Sequence, residues 1–363
     1  MHNWFYKLNQ TVENGNFEFV DADFSWLKKH NKNTYCLMNI ASQQPCCPTV
    51  PNGKELYILS WFFEPFGDLW FLDLYNRNPQ AQFVVITDAQ PNGFANLERV
   101  KVFQIIHHAT WFRAIHIKNN PPTQIDLSKR KYKLSSLSSR LNEFKFYVTA
   151  KLHSMQSAHA LYTWNRGFDI RNQDGFVFEP HGLYHADKLL EYKEFLKNNS
   201  VNAEQFDNNP LSGSCFNHPA YFDTVINSIN ETQSLSQTPE FGKLPTPYIT
   251  EKTWKPLFGG NAILFTGQAG LKKQLESWGF VFDYVWARDY DGAFNDNQRL
   301  EVILSQINWI LETPVPDLAR MAQPSVEHNF ELAWSGKLEQ QFRAHNLGVM
   351  EELKHFVNCY ETN

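Results

Sequence analysis

Glu251 and Lys252 stand side by side in the stretch Pro247 to Gly270, PYITEKTWKPLFGGNAILFTGQAG. A carboxylate there can accept hydrogen bonds from sugar hydroxyls, and an ammonium can meet an anion as a point charge. The pair follows a short β-branched stretch and opens an apolar helical segment. That segment gives way through Gly259-Gly260 to a strand-like run, Ala262 to Phe265. A helix start of this kind offers unpaired N–H groups and the positive end of a dipole to an anionic ligand. The same letters also spell an ordinary capped helix, with Thr250 as N-cap and Glu251 in the first turn.

Other residues carry chemistry by type and position. Asp88 follows the run Phe83 to Thr87 and precedes a Pro-Asn-Gly turn, while His107 and His108 follow a run ending at Ile106. A carboxylate or imidazole past a strand end can deprotonate an acceptor hydroxyl. Asp also ends strands by bonding to the turn backbone, which is the local alternative. Lys151 and His153 follow a run, Phe144 to Thr149, that reads as a strand, with a helix expected from Ser154 to Trp164. That order repeats the phosphate-site logic of the Glu251-Lys252 stretch without a glycine-rich dinucleotide fingerprint. Asp21 and Asp23 have the spacing of a metal-holding pair but lack a preceding strand, and chance among 38 acidic residues explains them.

The elements needed to position these groups are short and alternate in type. Tyr35 to Ile40, Leu56 to Trp61, Gln82 to Thr87 and Val100 to Ile106 read as buried strands, with a helix within Pro65 to Asn76. Later strands are expected at Thr224 to Ile229, Ala262 to Phe265 and Phe280 to Val285. Helices are expected at Ala186 to Lys197, Leu271 to Trp278, Asp296 to Leu311 and Lys337 to Tyr360. This β-α-β spacing predicts parallel sheets flanked by helices, which bind ligands at the carboxyl ends of their strands.

Composition narrows the class. The chain has 363 residues, 42% hydrophobic and 15% aromatic, with a formal charge of −5, so two globular domains are expected and an overall polyanion trap is not. No apolar run approaches the ~18 residues of a membrane span, and the N-terminus lacks the pattern of a secretory signal. Five scattered cysteines fit a reducing cytoplasm, and Cys46-Cys47 has no second pair at zinc-finger spacing.

YITEKTWKPLFGGNAILF resembles the sugar-nucleotide site of the α1,3-fucosyltransferase family. It is more similar still to glycosyltransferase-like proteins of tailed phages, with a Thr-Glu-Lys-Thr-aromatic-Lys-Pro motif. Glu231-Thr232 upstream, and Gly279-Phe280, Tyr290-Asp291 and His328-Asn329 downstream, follow the order of those proteins. The resemblance covers roughly residues 142–332. It implies an α/β, GT-B-like fold, two Rossmann-like domains with parallel sheets facing across a cleft. Residues 1–141 would form an acceptor domain, 142–335 the nucleotide-sugar domain and 336–363 a helical tail.

The function implied is transfer of a sugar from a UDP- or GDP-linked donor to the hydroxyl of a glycan or small molecule, inverting and without a metal or resident cofactor. Glu251 would contact sugar or ribose hydroxyls and Lys252 the diphosphate, with Tyr248 and Thr250 lining the site. Asn230 and Glu231 would lie near the nucleotide, Lys151 would bind phosphate, and Asp88 would be the base, with His107 the alternative offered by its place past a strand. Two alternatives stay open. One is a phage enzyme acting on a hydroxymethylated DNA base, with Lys118, Lys129, Arg130, Lys131 and Lys133 as a basic face. The other is a non-catalytic nucleotide or glycan-binding module. The expected location is the cytoplasm, the host's if the chain is viral.

Overall fold

Successive apolar side chains at Leu56 to Leu59 and Phe83 to Ile86 bury both faces of one sheet in the N-terminal part of the chain. The computed structural model describes residues 34–38, 52–61, 68–87, 97–106, 125–138, 143–155, 157–164, 219–231, 237–238, 242–243, 247, 249–287, 290 and 295–361. The chain divides into two units. The first comprises Met1–Ala114, Phe241–Pro245 and Gly336–Asn363; the second comprises Ile115–Glu240 and Thr246–Ser335. Both units are mixed α/β, each built on a four-stranded, all-parallel sheet of Rossmann-like type.

In the first unit the strands are β1 (Thr34–Met38), β2 (Leu56–Trp61), β3 (Gln82–Thr87) and β4 (Val100–Gln104), in spatial order β1-β2-β3-β4. Leu56, Ile58, Val84, Ile86, Phe103 and Ile105 share one face, which packs against Met350, Leu353 and Val357 of the C-terminal helix, Gly336–Glu361. The alternate residues Tyr57, Leu59, Phe83 and Val85 face Phe71 and Leu74 of α1 (Asp68–Arg77). Period-2 side chains on a strand point to opposite faces, so one run of sequence supplies two cores. Asn346 binds the backbone of Ile106 in both directions, its Oδ1 accepting at 2.7 Å and its Nδ2 donating at 3.2 Å.

The second unit contains β5 (Tyr132–Ser138), α2 (Glu143–Met155), β6 (Ala160–Trp164), β7 (Thr224–Ile229), α3 (Glu251–Phe258), β8 (Ala262–Phe265), α4 (Leu271–Ser277), α5 (Asp296–Glu312) and α6 (Val315–Trp334). Its strand order is β6-β5-β7-β8. The chain leaves β5 in one direction and returns on its other side, which makes β5/β7 a topological switch point. Two expectations are corrected here. Phe144 to Thr149 is helix, not strand: despite its aromatic and β-branched residues, the chain must cross over between parallel β5 and β6, and tertiary packing overrides a local β preference. The helix expected over Ser154 to Trp164 is instead the end of α2 followed by β6.

Phe280 to Val285 is a third correction, since it joins no sheet. Its alternation is real, with Phe280, Phe282, Tyr284 and Trp286 buried. Its backbone pairs with side chains of α6: Val281 with Asn329 at 2.7 and 2.6 Å, and Asp283 N–H with Ser325 Oγ at 3.2 Å. The buried rings reach the open edge of β8, where Tyr284 Oη accepts from Ile263 N–H at 2.9 Å and Trp286 Nε1 donates to the Ile263 carbonyl at 3.0 Å. Side chains thus cover an edge that would otherwise expose an unpaired backbone. Among the described residues no helix is long and apolar enough to cross a membrane.

Candidate functional site

A three-residue turn, Gly259 to Asn261, takes α3 directly into β8, so α3 runs back along the sheet and its N-terminus returns to the carboxyl edge beside the end of β7. Gly260 has φ +64°, and a Cβ at Gly259 would sit 3.0 Å from Tyr221 Cβ, so the turn needs both glycines. The buried guanidinium of Arg130 holds it, donating to the carbonyls of Gly259, Gly260, Tyr221 and Thr224 at 2.6 to 3.0 Å. Burial lowers the Arg130 pKa to about 10.

Polar side chains collect at that edge. Asn230, 1% exposed, crosses the switch point: its Nδ2 donates to Ser136 Oγ at 2.7 Å and Ser138 Oγ at 3.0 Å, both on β5. Its Oδ1 accepts from Ser228 Oγ at 3.0 Å and lies 2.8 Å from Thr266 Oγ1 at the end of β8. The next residue, Glu231, is turned to the other face and is equally buried. Its Oε1 accepts from Thr250 N at 2.9 Å and Thr253 Oγ1 at 2.6 Å, and its Oε2 accepts from Thr250 Oγ1 at 2.6 Å.

Thr250 is the N-cap, as the sequence predicts, with extended backbone and a hydroxyl that accepts from Lys252 N–H at 3.4 Å. Lys252 Nζ lies 3.3 Å from the same hydroxyl and 2.8 Å from Glu251 Oε1. The two charged side chains keep 25% and 16% of their surface. Burial pushes the Glu251 carboxyl up, but the charge and hydrogen bond of Lys252 and the charge of Lys255 outweigh it and hold it below the ordinary range. Three N–H groups of the cap and first turn have partners here: Glu231 for Thr250, Thr250 Oγ1 for Lys252, and the Thr250 carbonyl for Thr253.

The structure thus brings Asn230, Glu231, Thr250, Glu251 and Lys252 together. Lys151 is set apart: it lies in the second half of α2, toward the helix end that leads to the start of β6, away from a helix N-terminus. Asp88, His107 and Tyr248 lie outside the described residues, as do Asp21, Asp23, Cys46-Cys47 and the helix expected at Ala186 to Lys197. Thr87, which precedes Asp88, ends β3, and Ile106, which precedes His107, lies two residues past the end of the neighbouring β4.

No family model, curated protein or solved structure matches this chain.

The site therefore stands on its own geometry. Three motif pairs in the resemblance have structural work: His328 Nε2 lies 2.8 Å from the Gly279 carbonyl, Asn329 clamps Val281, and the Tyr290 hydroxyl meets the carbonyls of Gly267 and Gln268. Two of the five residues of the basic face are buried, while Lys129 and Lys131 are exposed. Arg130 is buried on four carbonyls, and Lys133 is buried with Nζ on the Leu311 carbonyl at 2.7 Å. Lys129 pairs with Asp126 at 2.9 Å, and Lys118 lies outside the described residues.

Sequence reasoning missed the serines of β5 and the buried Lys255. The signals were present: Ser136 and Ser138 share a face at i, i+2, and Lys255 lies one helical turn after Glu251.

Proposed function

We propose that this chain is a glycosyltransferase that moves a sugar from a nucleotide-diphosphate donor, UDP- or GDP-linked, to an acceptor hydroxyl. The observation that supports it most is the meeting of Glu251 and Lys252 at the carboxyl edge of a doubly wound parallel sheet, beside its switch point. One group accepts from hydroxyls and the other meets a diphosphate. The proposal includes a GT-B-like pairing of two Rossmann-like domains, with the donor held by the second unit. Asp88 or His107 takes the acceptor proton as the acceptor oxygen bonds to the anomeric carbon. The bond from that carbon to the phosphate oxygen breaks on the opposite face, inverting the centre, and the nucleoside diphosphate leaves toward Lys252. No resident metal or cofactor is given a role.

A screen of UDP- and GDP-sugars against simple glycans and hydroxymethylated DNA, read by mass spectrometry, tests the proposal. Turnover with a glycan or small molecule is expected. Turnover on DNA alone would favour the DNA-modifying alternative despite the buried Arg130 and Lys133, and tight nucleotide binding without turnover would indicate a binding module. Glu251→Ala and Lys252→Ala should each weaken donor binding at least about tenfold; unchanged affinity in both overturns the site.

A further inference from the structure

We infer that Glu231 is a positioning residue: its buried carboxylate fixes the Thr250 hydroxyl, and through that hydroxyl the Lys252 ammonium that receives the anionic part of the ligand. The inference rests on the site proposed above and adds a residue that acts from beneath it.

Each neighbour of the carboxylate constrains it. Thr250 N–H can only donate, and it lies 2.9 Å from Oε1, so that oxygen must be an acceptor. The Thr250 hydroxyl lies 2.6 Å from Oε2 and commits its proton there. Its lone pairs are then turned to Lys252, whose N–H and Nζ approach at 3.4 and 3.3 Å. Nζ passes the chain on to Glu251 Oε1 at 2.8 Å. A continuous series, Glu231 to Thr250 to Lys252 to Glu251, thus runs from a carboxylate at 1% exposure to a partly open ion pair. Gly267 closes the space behind Glu231: a Cβ there would lie 3.3 Å from Glu231 Cβ.

Glutamine has the size of glutamate but the wrong polarity. With its oxygen toward Thr250 N–H, its amide nitrogen takes a Thr250 lone pair that Lys252 uses and frees the hydroxyl proton to turn elsewhere. With the amide reversed, two donors face each other at Thr250 N. Thr250→Ser keeps the hydroxyl, whereas Thr250→Val removes it and keeps the shape.

The full-length chain and the variants Glu231→Gln, Thr250→Ser and Thr250→Val are titrated calorimetrically with UDP, GDP, uridine and guanosine. The native chain and Thr250→Ser should bind a nucleoside diphosphate more tightly than its nucleoside. Glu231→Gln and Thr250→Val should cut that advantage about tenfold and leave nucleoside affinity unchanged. Equal loss of nucleoside and diphosphate, or no loss of either, overturns the inference, because a purely structural cap would not single out the phosphates. A native chain that binds none of the four removes the functional proposal instead. The inference is then decided by acetylation of Lys252, mapped by mass spectrometry against the exposed Lys129. Its rate should rise at least about threefold in Glu231→Gln and Thr250→Val and stay native in Thr250→Ser, since an ammonium held by hydrogen bonds reacts slowly. An unchanged rate in Glu231→Gln overturns it.

Discussion

The Glu251 carboxyl sits below its ordinary value of 4.5 although burial works in the other direction, so the cations around it dominate. A folded value below the unfolded one means that the unfolded chain takes up the proton first as the pH falls. The stabilisation is fully present above pH 4.5 and is lost as the pH drops through the folded value. Glu251→Gln should therefore melt below the native chain near neutrality, and the gap in Tm should close in acid. His153 gives a second pH signature. Its ring shares a 3.0 Å hydrogen bond with Tyr162 Oη, and burial holds its pKa below the usual 6.5. Its contribution is present above pH 6.5 and fades below it, so His153→Phe should flatten the dependence of urea melts on pH across that value. The Thr250 cap and the Glu251-Lys252 pair were legible because a capping signature is local. Glu231 was named only through the resemblance, and its hold on Thr250 and Thr253 was not legible, because those partners lie 19 and 22 residues away and only the fold brings them together.

At the scale of elements, strands with alternating or continuous apolar residues could be read from the sequence. β2, β3, β7 and β8 have the limits expected of them. β5 could not be typed, because Tyr132 to Ser138 buries serines and a lysine that are satisfied by Asn227, Asn230 and the Leu311 carbonyl. Burial usually announces itself through apolar residues, and here hydrogen bonds replace them. Phe280 to Trp286 misled in the opposite sense, having the period of a strand while serving one through its side chains. Tyr284→Phe should leave Ile263 N–H without its acceptor, cost roughly 1–3 kcal/mol and speed amide exchange at Ile263. Arg130→Met removes the donor of four buried carbonyls and should cost at least roughly 3 kcal/mol in chemical denaturation.

On the scale of the whole molecule, the first unit is discontinuous: its strands come early, and the helix that covers one face of its sheet comes last. Leu353→Ala should open a cavity on that face and cost roughly 2–5 kcal/mol, read as earlier unfolding of the first unit in limited proteolysis. Ile106 waits for Asn346, 240 positions downstream, and the Glu55 carbonyl for Tyr360, 305 downstream. On a ribosome adding about 5–20 residues per second, that wait lasts roughly 12 to 60 seconds. All of the second unit is made in that interval. The strands translated first are thus the last to be closed. A chain stalled before Gly336 should carry a protease-resistant second unit behind a first unit with its oily sheet face still open, which is the stage of synthesis at which a chaperone has most to hold.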